Sequence, residues 1–224
     1  MSQSPLNALP PVVAALALVI GGAEIVLMLA ERGLLGGRMG VGWRVAAIER
    51  YAVFDAVAEA MWERGGLPGE HLLRFLAYPF VHGGFVHAAF AVAILLALGK
   101  MVGEVFAPLA TAAVFFVPAV LGALAWSALA DDPRPLFGAY PGVYGLIGAY
   151  TFLLWTRLAA AGGRRVEAFR LIGVLLAIQL LFAALFGGGA EWIADLAGFA
   201  AGFALSALVS PGGWRALLAR LRAR

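Results

Sequence analysis

The placing of long apolar runs limits this chain more than any other feature. Six stretches, about 10–30, 75–99, 107–129, 141–157, 169–186 and 192–209, each carry at most one Asp, Glu, Lys or Arg. A membrane-spanning helix needs about 20 apolar residues to cross a hydrocarbon layer ~30 Å thick. Backbone in lipid must satisfy its own hydrogen bonds, so runs of this length are expected as helices. With 63% hydrophobic and 13% charged residues and a mean hydropathy of +0.92, the expectation is an all-α membrane protein. Six spans would form one bundle domain over 1–224, with a long first loop, 31–74, between the first two.

The chain has no cysteine, which removes disulfides, thiolate metal sites and a thiol nucleophile together. Its pI near 9.7 comes from a net charge of +3 that is unevenly spread. It therefore reports orientation in a bilayer rather than nucleic-acid binding. Fifteen of the sixteen Lys and Arg residues are Arg, the bias expected of a GC-rich bacterial genome; with its apolar runs, the chain is expected in a bacterial inner membrane. Residues 1–9 hold no Lys or Arg and no clear cleavage site, so the first span is expected to be retained.

Loop charge sets the expected topology. With the N-terminus inside, the inner segments hold Lys100, Arg157, Arg164, Arg165, Arg170 and four Arg in the tail, against Glu104 and Glu167. The outer segments hold seven Arg against nine acidic residues. Positive-inside then favours both termini in the cytoplasm. That arrangement puts His82, His87, Tyr140 and Asp195 at one depth, where polar side chains should face a shared cavity rather than lipid.

Three further stretches carry information. Glu24 lies inside the first span, where a carboxylate costs roughly 2.5–3.5 kcal/mol on insertion scales; it must pack inward, snorkel or serve a function. Trp43 to Trp62 places Val45, Ile48, Val53, Val57 and Met61 at roughly helical spacing, the pattern of a helix lying in the interface. Trp214 to Arg224 is a basic amphipathic tail suited to an anionic membrane surface.

The stretch Gly138-Ala139-Tyr140-Pro141-Gly142-Val143-Tyr144-Gly145-Leu146-Ile147-Gly148-Ala149 opens the fourth span. Gly142, Gly145 and Gly148 recur on one helix face, and small residues at such spacing let helix backbones approach in lipid. This stretch resembles the fourth transmembrane helix of the rhomboid family of intramembrane serine proteases, where the pattern is Gly-Xaa-Ser-Gly-Xaa-Xaa-Xaa-Gly-Leu-Xaa-Gly-Ala and the serine is the nucleophile. Tyr140 stands at the serine position and Pro141 at the glycine after it. His82-Gly83-Gly84-Phe85-Val86-His87 resembles the family's second helix, but Ala91 replaces the Asn expected four residues later. Asp195-Leu196-Ala197-Gly198, followed by Gly202, resembles the sixth helix, with Asp195 in place of the catalytic His. Trp43-Arg44 is similar to a dipeptide of the family's first loop.

The resemblance covers about 72–205 and implies the rhomboid fold, no cofactor and no metal. It also implies a pseudoprotease that binds transmembrane segments of client proteins without cutting them. A phenol with a pKa near about 10 is a poor acyl-transfer nucleophile. Removing a member of a comparable catalytic unit costs on the order of 10⁶ in kcat. Ser127 and Ser206 each lie late in their spans, and so near opposite faces of the bilayer, and lack the motif. Two rivals stay open at this stage, an active protease with an atypical site and a structural subunit of a membrane complex. Inverted internal repeats, which would favour transport, are not evident.

Overall fold

The structure, a computed structural model, describes residues 8–54, 63 and 69–213. Val57, Met61, Arg64 and the tail from Trp214 lie outside the described residues. Within them the chain is helical: α1 (Pro11–Glu31), α2 (Gly37–Gly40), α3 (Trp43–Tyr51), α4 (Gly69–Ala77), α5 (Phe85–Gly103), α6 (Pro108–Leu129), α7 (Tyr140–Ala160), α8 (Arg170–Phe186) and α9 (Glu191–Val209). Five of these, α1, α5, α6, α7 and α9, are long and apolar enough to cross a membrane. Strand-like pairing among the described residues is limited to one antiparallel bridge, Val53 to Leu136.

Proline starts several of the helices. Pro11, Pro108 and Pro141 occupy first-turn positions, where a missing N–H costs nothing and the fixed φ suits the helix. The second span, expected over 75–99, is interrupted. α4 gives way to a 3₁₀ turn at Tyr78–Phe80 and an extended Val81, and α5 begins only at Phe85. Pro79 removes a backbone donor, and Gly83-Gly84 weaken helical continuation. The break puts His82 in a loop and His87 on a helix.

α7 is the axis of the bundle. It buries residues from Pro141 to Ala149 almost without interruption and packs between α6 and α9 with glycine at each contact. A Cβ on Gly142 would lie 2.8 Å from the Phe115 ring, and one on Gly145 would lie 2.5 Å from both the Pro118 side chain and the Val114 carbonyl oxygen. The Val114 carbonyl is the one Pro118 leaves without its helical donor, so α7 comes closest where α6 carries a freed backbone acceptor. On the opposite side, Cβ atoms on Gly148, Gly198 and Gly202 would run into the carbonyls of Phe199, Pro141 and Gly145. In lipid such close approach replaces the missing hydrophobic drive with dispersion and Cα–H···O contacts.

The first loop departs from the expected pattern. α3 ends at Tyr51, and Val45 on it is exposed while Arg44 is buried. The apolar face expected to lie in the interface does point outward at Val45, but a charged residue, not an apolar one, carries α3 into the protein. Val53 is fully buried against Leu136 in a small second cluster with Tyr78 and Trp126.

Candidate functional site

The His82 loop is fixed from two directions. The Tyr78 hydroxyl donates to the Ala119 carbonyl at 2.8 Å, and the Gly138 N–H donates to the Tyr78 carbonyl at 3.0 Å. Arg44 then donates through Nη1 to the His82 carbonyl at 2.7 Å. Its remaining donors reach Glu24 at 2.8 and 2.9 Å and Glu31 at 2.6 and 3.0 Å, so all five guanidinium N–H groups are used. Both side-chain hydrogen bonds and the carboxylate charges push the Arg44 pKa above its ordinary value. Glu24, 3% exposed, is the counter-charge of the first loop. Span one, the loop helix and the histidine loop are thereby tied at one atom cluster.

His82 and His87 come together at the start of α7. The Ala139 N–H donates to His82 Nε2 at 3.2 Å, which places the His82 proton on Nδ1. The two imidazoles meet edge to face at 5.1 Å, and the Gly83 N–H reaches His87 Nδ1 at 3.4 Å. Gly138 has φ +100°, and a Cβ there would sit 2.9 Å from His87. Backbone conformation and ring proximity both demand glycine at that motif position. The Tyr140 ring lies flat on His87, 5.1 Å between centroids at 14°, with Phe137 on another edge of the same imidazole. Ala91, four residues beyond His87, is fully buried in apolar packing and offers no donor.

Asp195 joins a different set. Its Oδ2 accepts from Gln179 Nε2 at 2.8 Å, and Gln179 Oε1 accepts from the Tyr144 hydroxyl at 3.3 Å. Oδ1 has no partner among the described residues. Asp195, expected to share a cavity with His82, His87 and Tyr140, has its hydrogen-bond partner instead in Gln179 on α8. The reason is reach, since Asp is short and the longer amide enters from the facing helix. Gln179 is the single polar residue of the apolar run 171–186. A lone amide in an otherwise apolar run was the signal that marks it.

Both serine hydroxyls are bonded within their own helices. Ser127 donates to Ala123 and Ser206 to Gly202, four residues back on their own helices, and both side chains are buried. Among the described residues no group of three His, Asp or Glu is placed to hold a metal.

A helical membrane protein whose histidine loop, glycine-packed central helix and buried carboxylate meet at one end has the layout of an intramembrane protease scaffold. A model of the rhomboid domain matches residues 69–212, and the chain belongs to the rhomboid family. A search of curated proteins finds no match.

Proposed function

We propose that this chain is a rhomboid-type pseudoprotease that binds transmembrane segments of client membrane proteins without hydrolysing a peptide bond. The observation that carries the reading is Tyr140, an aromatic ring stacked on His87 at the position where the family motif has its serine. A serine–histidine unit needs a hydroxyl whose proton the imidazole takes and donors for the oxyanion. Here the phenol ring lies face to face with His87, Asp195 is bonded to Gln179, and Ala91 supplies no amide.

The same reading takes α8 as a sixth span. At 17 residues it is ~25 Å long, enough to cross with local thinning of the bilayer. Both termini face the cytoplasm of a bacterial inner membrane, and 1–224 forms one bundle. The test is labelling of purified protein by a serine-directed fluorophosphonate probe, beside a rhomboid protease as positive control. No labelling is expected, and none is restored by Tyr140→Ser with Asp195→His alone, since Pro141 and Ala91 remain. Stoichiometric labelling of the unmodified protein contradicts the reading.

A further inference from the structure

We propose that Asp195 is a recognition carboxylate for a basic side chain carried on a partner's transmembrane segment, and that Gln179 is the resident donor such a segment displaces. The inference rests on the segment-binding reading above and names the chemistry of its partner.

The chain holds two carboxylates inside spans and treats them differently. Glu24 has both oxygens filled by a guanidinium. Asp195, equally buried at 3% exposure, has one oxygen on a neutral amide and the other on nothing. Among the described residues no cation lies within ion-pair distance of it. A carboxylate at this depth is expensive unless paired, and an amide is a weaker partner than an ammonium or guanidinium in a medium of low dielectric. Oδ1 therefore has room for one more donor.

The resident donor sits on α8, several of whose described apolar side chains face outward. On α8 the described buried side chain is Ile172, near the start. Val174, Ile178, Leu181 and Leu185 are all exposed, and the helix stops at Gly187 with φ +76°. Beyond Ile172, Leu175 and Leu176 pack partly buried against the core, and Gln179 adds the polar contact to Asp195 and Tyr144. An incoming basic side chain has to displace that one neutral amide from the carboxylate. Asp195 is the fifth residue of α9, ~6 Å along its axis. A matching basic residue must then lie about one to two turns from the end of its own segment.

The experiment uses the full chain in lipid nanodiscs and labelled synthetic helices of about 23 Leu and Ala residues. One helix is wholly apolar, one has Lys about two turns from an end, and one has Lys at its centre. The off-centre Lys helix is expected to bind about tenfold more tightly than the other two. Asp195→Asn, which keeps an acceptor for Gln179, brings the off-centre Lys helix to the level of the apolar one. Gln179→Leu, which removes the competing donor, widens the advantage. Should Asp195→Asn fail to fold, the Gln179→Leu protein and the centre-Lys helix still decide the matter. Equal binding of all three helices, or an advantage that survives Asp195→Asn, overturns this proposal and leaves segment binding standing. Lower Lys-helix affinity in Gln179→Leu overturns the displacement. Binding of no helix at all overturns the segment-binding reading and this inference with it.

Discussion

Arg44 is held at its depth by complete use of its donors, which predicts what its loss does. Truncating one partner of a buried pair leaves the other charge uncompensated, typically at about 3–5 kcal/mol. Arg44→Met is expected to lower the unfolding temperature in detergent sharply, and Glu24→Gln in the same protein to recover most of it. Additive losses would mean that the two residues are not partners. Asp132 gives a pH-dependent counterpart. The Arg134 side chain, with the N–H groups of Arg134 and Ala190, holds its pKa down to about 2. A lowered folded-state pKa contributes stability above the ordinary carboxylate value near about 3.9, lost as pH falls toward 2. The Tm gap between wild type and Asp132→Asn should accordingly be full at pH 6 and close between about pH 4 and 2. For Asp195, a double-mutant cycle with Gln179→Ala should be non-additive and one with His87→Ala additive.

At the scale of elements, glycine decides which helices can touch. Gly145→Val is expected to cost about 1–3 kcal/mol or more by overpacking against Pro118 and the Val114 carbonyl. Gly22→Ala, with open space around its Cβ, should be neutral or stabilising by up to about 1 kcal/mol from helix propensity. Equal effects at both positions, measured by thermal unfolding, would contradict backbone-to-backbone packing. That glycines bring α7 into contact was legible in the sequence, but the expected single face was not borne out: Gly142 and Gly145 meet α6, while Gly148 meets α9. The break at 78–84 was marked by Pro79 and Gly83-Gly84, yet surrounding hydropathy made it look continuous. The orientation of α3 was hidden, because the residue that turns inward is an arginine whose partners are 13 and 20 positions away. Gln179 was visible as a lone amide, but its pairing with Asp195 depends on how α8 faces α9, which no local pattern encodes.

In the whole molecule, a rhomboid-family scaffold carries Tyr140 and Asp195 at the positions of the family's serine and histidine. The charge asymmetry predicts that reporters fused after Arg134 appear outside, and those after Arg165 and Arg224 in the cytoplasm. A cytoplasmic signal after Arg134 would reverse the bundle. The central claim is that the scaffold has kept segment binding and lost hydrolysis. Its most direct measurement is co-reconstitution of the purified protein with a rhomboid-type transmembrane substrate in liposomes, followed over hours for both capture and cleavage. The substrate is expected to be recovered intact and bound; accumulation of a product cut within its transmembrane segment would contradict the proposal.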